Sequence, residues 1–468
     1  MNEPNPKVKK SAEPKPKRYP KFSPEGFYFE SKNRRILLPS PLGYQELSIE
    51  DFMFRLHEDF GLSIKGKFND CRKVVTWLQK NQWVHVATDL AGYWGPAVVE
   101  FGDKRILILH APKLVTPYEG DYATLLEYFD GLLTGEPGEH LNCWCADVVR
   151  HVYDRQLGSF IVPILCGPRS AGKSLFQEIL TEATGGRSSR PYSAMTGVTS
   201  FNEHLFAAEH WIIEDEYSSG DPKARAQLGT ALKNFVANQQ KLNHGKYKAA
   251  FLMPRLLQFL TLSLNDELEN IAQLPRKHPS LDDKVSLYDC QYSPMPMPTG
   301  TTEEKLAFKA QLMKELPCWI YDLIHKTPMP AKWQSGRFMV PWRAEKVSQA
   351  LDELEPYMKL RDLLYILLWR NPLGQEVREA LTIVPQGNSY LGTPTQIESD
   401  LCSSPPVKTL ADRLFLKHEC GRLLARLCLE FPGEYVNKRK NNGRFYLLNP
   451  PPPPEDHPVS AGDGVTHE

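Results

Sequence analysis

The sequence predicts an α/β fold, and three observations carry that prediction. Between Phe160 and about Cys290, short apolar runs alternate with stretches of helical period, the pattern of a three-layer domain. Inside that span, ILCGPRSAGKSLFQEIL sets a glycine-rich loop between an apolar run, residues 160–166, and a stretch where Leu175, Phe176, Ile179, Leu180 and Ala183 recur at helical spacing. A second apolar run, Trp211-Ile212-Ile213, stops at three consecutive acids, Glu214, Asp215 and Glu216.

Length and composition set the outer bounds. The 468 residues suffice for two or three domains. Lysine plus arginine number 56, as do aspartate plus glutamate, so the chain is not polybasic. Zero net charge still leaves room for local basic patches or a ring-shaped pore. No run approaches the length of a membrane span, and residues 1–21 lack the apolar stretch of a signal peptide. The nine cysteines are scattered and odd in number, which points to a reduced, cytoplasmic chain rather than a disulfide framework. His140, Cys143, Cys145 and His151 crowd one stretch, but no Cys-x-x-Cys pair occurs and residues 143 and 145 face different ways on a helix, which argues against zinc.

In chain order, residues 1–24 are rich in lysine and proline and are expected to be a disordered basic tail. A small α+β domain is expected over 25–117. It opens with a strand pair in FYFESKNRRILLPS, continues with a helix over 49–60, and ends in the β-rich stretch WVHVATDLAGYWGPAVVEFGDKRILILH. Helices over 122–133 and 141–153 lead into the α/β domain, assigned to 118–300. The proline-rich YSPMPMPTGTTEEK and a helix over 304–326 read as a connector, 301–353. A third globular region covers 354–449, and NPPPPPEDHPVSAGDGVTHE, 450–468, is expected to be a disordered polyproline tail. No internal repeat is visible.

Strand, glycine-rich loop and helix form the context of a phosphate-binding loop, Gly-x-x-x-x-Gly-Lys-Ser. Gly167, Pro168, Arg169, Ser170, Ala171, Gly172, Lys173 and Ser174 are the expected ATP-binding residues. Lys173 would reach the β and γ phosphates, and Ser174 would hold Mg²⁺. Such a site needs carboxylates on a second strand. Asp215 is assigned to the Mg²⁺ shell and Glu216 to the attacking water, while a one-residue shift of register would give Glu214 and Asp215 instead. A third strand-like run, 256–264, ends at Asn265, whose amide could bond both the γ phosphate and the water. Between these, NQQKLNHGKYKAAFLMP reads as two short arms about His244-Gly245, a hairpin with His244, Lys246 and Lys248 at its tip.

The order GPRSAGKS, WIIEDE, NHGKYK, LTLSLN resembles the four-motif signature of superfamily 3 helicases, in particular the primase-helicase proteins of phages, plasmids and large DNA viruses. The likeness covers about residues 89–290 well and the C-terminal region more loosely. It implies a P-loop core of the AAA+ kind, assembled as a homo-hexameric ring with ATP bound between neighbours. It also implies that the hairpin grips single-stranded DNA in the pore. A positive group acting in trans is then needed: Arg276 is assigned, with Lys277 and Lys284 as competitors. The activity implied is ATP-dependent DNA unwinding in the replication of a phage, prophage or other mobile element. An ATP-regulated DNA-binding initiator without unwinding is the alternative. No Asp-x-Asp followed by a spaced His stands before the phosphate loop, so primase activity is not expected in this chain, and a separate primase or other replication protein is an expected partner.

The C-terminal region adds its own reading. TPTQIESDLCSS and HECGRLLARLCLEF read as helices, and EYVNKRK and RFYLL flank the hairpin signal Asn441-Asn442-Gly443. Two helices and a basic hairpin make a winged-helix domain, with Lys438, Arg439, Lys440 and Arg444 on the wing against duplex phosphates.

Overall fold

The structure, a computed structural model, describes residues 23–451 apart from 41–42, 65–68, 215–221, 239, 245–250, 276–278, 337–338, 371–380, 415–418 and 441–442. The expected tails therefore lie outside the described residues except at 23–24 and 450–451. Two compact units divide between Ser348 and Gln349.

The first unit begins with β1 (Tyr28–Glu30) and β2 (Arg35–Ser40), paired antiparallel, and β3 (Gly43–Leu47) beside β2. β4 (Trp83–Val84) runs parallel to β1, giving the order β3-β2-β1-β4. Helices Ile49–Phe60 and Asp70–Asn81 pack on this sheet because Phe52, Leu56, Val74, Val75 and Leu78 recur on their inner faces and bury with Phe29 and Ile36. Each starts at a side-chain cap: Ser48 Oγ accepts from Asp51 N at 3.0 Å, and the Asn69 side chain from Arg72 N at 2.8 Å. β5 (Val86–Ala87), β6 (Ala97–Phe101) and β7 (Lys104–Ile108) form a second sheet, β5-β7-β6. Its Val86, Val99, Ile106 and Ile108 pack on Phe206, Met253 and Leu256 of the following α/β core.

That core carries one five-stranded parallel sheet. Its strands are β8 (Val162–Gly167), β9 (Ser188–Ser189), β10 (His210–Glu214), β13 (Phe259–Asn265) and β14 (Val285–Asp289), in the order β14-β8-β13-β10-β9. β8 is buried along its whole length, as a strand covered on both faces must be. A separate antiparallel ribbon, β11 (Gln240–Asn243) and β12 (Phe251–Pro254), is inserted between β10 and β13 in sequence. The outer edge of β14 is covered by chain: Leu287 N donates to Trp342 O at 2.9 Å, and Ala344 N to Leu287 O at 2.9 Å. Helix Lys173–Ala183 is tied to the sheet through a buried histidine. His210 bonds Thr181 Oγ1 and Thr261 Oγ1, each at 2.8 Å, and stacks on Phe259.

Several boundaries differ from expectation, each for a local reason. Helix Glu136–Tyr153 starts earlier than residue 141, because Pro137 sits in the first turn, where its missing N–H costs nothing. β13 starts at Phe259 rather than at residue 256, because Leu256 belongs to the core under the β5-β7-β6 sheet and Gln258 Nε2 is spent on Leu205 O and Ala208 O, both at 3.0 Å. The stretch expected as a connector is part of the core: helix Thr302–His325 packs on helices Ala123–Leu132, Glu136–Tyr153 and Lys173–Ala183. His140 and the neighbouring thiols serve packing. Both His140 ring nitrogens are engaged, with Tyr288 Oη at 2.7 Å and Val340 O at 2.8 Å. Among the described residues no group of three metal-ligating side chains occurs. Nor is any described helix long and apolar enough to cross a membrane.

The second unit contains helices Pro356–Leu368, Pro394–Ser403, Pro405–Arg413 and Cys420–Glu430 with a four-stranded sheet. The strands are β15 (Val384–Gln386), β16 (Ser389–Gly392), β17 (Tyr435–Lys440) and β18 (Gly443–Leu448), ordered β15-β16-β18-β17. Leu360, Leu364, Leu401, Leu424, Leu427 and Leu448 form its core. Thr393 caps its helix with a reciprocal bond from Gln396. Helix Pro405–Arg413 is additional to the expected pair. Among its described side chains, Val407 and Ala411 are the buried apolar ones.

Candidate nucleotide site and DNA hairpin

The site grows out of the carboxyl ends of three adjacent parallel strands. β8 ends at Gly167, and the chain passes through a loop in which Ser170 has φ +63° and Gly172 +96° before helix Lys173–Ala183 begins. Both flanking glycines are needed: a Cβ at Gly167 would lie 2.4 Å from Cys290 O, and one at Gly172 would lie 2.9 Å from the Tyr128 ring. No side chain caps the helix, and its first turn carries no acid, so its positive end is directed at the loop. Capped helices such as Ile49–Phe60 show the contrast. This is the arrangement a phosphate fits.

Lys173 is buried, and its Nζ donates to Gly167 O and Pro168 O, each at 2.8 Å, and to Asn265 Oδ1 at 3.3 Å. Asn265 is the last residue of β13 and pairs in register with Gly167. β10 lies on the other side of β13, with Glu214 opposite Ser263. Glu214 is ion-paired with Arg190 at 2.6 Å, and the following Asp215 and Glu216 lie outside the described residues. The structure thus brings Gly167, Lys173 and Asn265 together at one end of the sheet and points the acidic strand at the same end.

A cleft of about 710 Å³ opens over the loop. Arg169, Ser170, Ala171, Gly172, Lys173 and Ser174 line one side, Ser263 and Asn265 the floor. The far side is formed by Met295, Thr299, Lys305, Phe308 and Lys309, which no motif marks. Tyr128 donates its hydroxyl to Gly172 O at 2.8 Å, and burial drives its pKa far up, keeping it a neutral donor. Among the described residues the cleft is lined by four cationic side chains, Arg169, Lys173, Lys305 and Lys309, and one carboxylate, Glu178.

The ribbon β11–β12 gives the expected hairpin: Asn243 pairs with Phe251 in its last rung, and His244 begins the loop that follows. There Asn202 anchors it: His244 N donates to Asn202 Oδ1 and Asn202 Nδ2 to Leu242 O, both at 2.8 Å. Lys246 and Lys248 lie outside the described residues, as do Arg276 and Lys277. Lys284 is described: it is buried and ion-paired with Asp283 of its own chain. On the C-terminal hairpin β17–β18, Lys438, Arg439 and Arg444 are exposed, and Arg439 faces Arg444 across the strand pair. The side chain of Lys440 lies outside the described residues.

No family model matches this sequence, nor does any curated protein. Among solved structures the chain is similar to the A-form apo structure of the NrS-1 C-terminal region, with TM-score 0.52 and 13% identity over 91% of this chain and 96% of that one. A second apo structure of that region aligns with TM-score 0.52 and 13% identity over 90% and 95%. JCV helicase aligns at TM-score 0.24 with 13% identity over 52% of this chain and 72% of that one, too low to bear on the fold. The likeness to the NrS-1 region extends over most of both chains, and at this identity it establishes a shared fold: a mixed α/β architecture around a parallel sheet.

Proposed function

We propose that this protein is an ATP-dependent DNA helicase or translocase of the superfamily 3 kind, working as a homo-hexamer in the replication of a phage, prophage or other mobile element, in the cytoplasm of its host cell. The observation that carries the reading is the sheet order. β13 stands between the phosphate-loop strand and the acidic strand, and its last residue, Asn265, lies 3.3 Å from Lys173 Nζ. A triphosphate seated on the loop would draw Lys173 from the loop carbonyls to its β and γ phosphates. Asn265 would then contact the γ phosphate and orient the attacking water, with Glu216 accepting the proton. Ser174 and Asp215 would hold Mg²⁺, whose charge offsets that building on the phosphate oxygens. Arg276 of the next subunit would complete the site. The hairpin carrying Lys246 and Lys248 would follow single-stranded DNA through the pore, and the wing with Lys438, Arg439, Lys440 and Arg444 would hold duplex.

The test is ATPase activity with and without single-stranded DNA, on material sized by light scattering, alongside strand displacement. Lys173→Ala should abolish hydrolysis. Lys246→Ala with Lys248→Ala should spare basal hydrolysis and lose DNA stimulation and unwinding. Normal unwinding by that double variant would sink the mechanism. Tight duplex binding without strand displacement would favour an initiator instead.

A further inference from the structure

The helix Thr302–His325 reads as a connector, yet its first turns form a wall of the phosphate cleft. Its start is fixed by a reciprocal cap, with Thr301 N donating to Glu304 Oε2 at 2.9 Å and Glu304 N to Thr301 Oγ at 3.1 Å. Lys305 and Lys309 are one turn apart on the face turned to the loop, and both line the cleft with Phe308 between them. Lys309 Nζ donates to Glu178 Oε1 of helix Lys173–Ala183, one turn beyond Ser174. The two side chains are 45% and 44% exposed, so water stands ready to take over either end of this pair.

A carboxylate beside the phosphate loop opposes a polyanionic ligand. Either Lys309 cancels Glu178 permanently, or it exchanges the carboxylate for phosphate. Exchange is favoured on charge. A phosphate group carries more negative charge and more acceptor oxygens than a carboxylate, and an exposed glutamate is released into water at little cost. We propose that Lys309, supported by Lys305, is a phosphate ligand for the nucleoside triphosphate supplied from the same chain, parked on Glu178 until the triphosphate arrives. The proposal rests on the reading of this cleft as a triphosphate site.

A double-substitution cycle on the full chain separates the two roles, with Mg-ATP as the probe and calorimetry as the readout. Lys309→Met should weaken ATP about tenfold, and Lys309→Arg should keep most of the affinity. Glu178→Gln should tighten ATP by about threefold, because it frees Lys309. The combined variant decides: affinity as weak as Lys309→Met supports phosphate contact, while a return to the wild-type value overturns it and leaves Lys309 as a shield for Glu178. Unchanged affinity in Lys309→Met overturns it as well. Lys173→Ala reports on the underlying reading separately. If it binds ATP as the unaltered chain does, the cleft is not a phosphate-loop site, whatever Lys309 does.

Discussion

At the level of single residues, His210 shows how the phosphate-loop helix is held in place. It lies wholly inside the core, with both ring nitrogens bonded to threonine hydroxyls, one on helix Lys173–Ala183 and one on β13. Burial, aided by the Arg190 charge, pushes its pKa down to about 3. An unfolded histidine titrates near ~6.5. Between those values the unfolded chain takes up a proton that the folded chain refuses, so stability is full above the unfolded pKa and is lost as pH falls. Urea unfolding should therefore weaken with acid about 1.4 kcal/mol per pH unit more steeply in the unaltered protein than in His210→Gln between about pH 6 and pH 4. Equal slopes would mean that the ring carries a proton in the folded state. In the sequence this histidine only precedes the apolar run Trp211-Ile212-Ile213. Its two partners come from distant segments, and no spacing announces them.

At the level of elements, the C-terminal hairpin makes a measurable claim. Arg439 and Arg444 are register partners, so two guanidinium groups share one face of the ribbon. Like charges directly opposite each other destabilise an isolated ribbon, and an anion lying along it would relieve the repulsion. Replacing both by alanine should reduce the slope of log affinity for duplex DNA against log salt by about two. It should also leave the unit's melting temperature unchanged or slightly raised. An unaltered salt slope would remove this hairpin from the proposed DNA interface. Elements of this kind are legible in sequence because their signals are local. Ser48, an apolar stripe and Gly61 delimit helix Ile49–Phe60, and Thr393 opens helix Pro394–Ser403. The phosphate loop is legible for the same reason, since strand, glycines and helix are contiguous. The far wall of the cleft is not. Lys305 and Lys309 look like any solvent-facing pair on a helix until that helix packs over the loop. Asn202, which anchors the start of the hairpin loop, is equally silent: its partners are forty or more positions away.

At the level of the whole molecule, the reading requires that a site be shared between copies. The chain supplies the loop, Lys173 and Asn265 on one side of the cleft, and Lys284 is already engaged within its own subunit. In the proposed reading the trans-acting cation is Arg276. In a ring, each site takes its loop from one copy and its finger from the next. Lys173→Ala destroys the loop but keeps the finger; Arg276→Ala does the reverse. Each variant alone should be inactive. In an equal mixture allowed to exchange subunits, an interface is whole when an Arg276→Ala copy supplies the loop and a Lys173→Ala copy the finger. Random assembly makes about a quarter of the interfaces whole, so about a quarter of the unaltered ATPase should return if interfaces act independently. Activity that stays at zero would mean that the finger acts within its own subunit, and an Arg276→Ala variant active by itself would mean that the finger lies elsewhere. The same mixture with Lys277→Ala in place of Arg276→Ala should show no such recovery, because that variant alone should already be active.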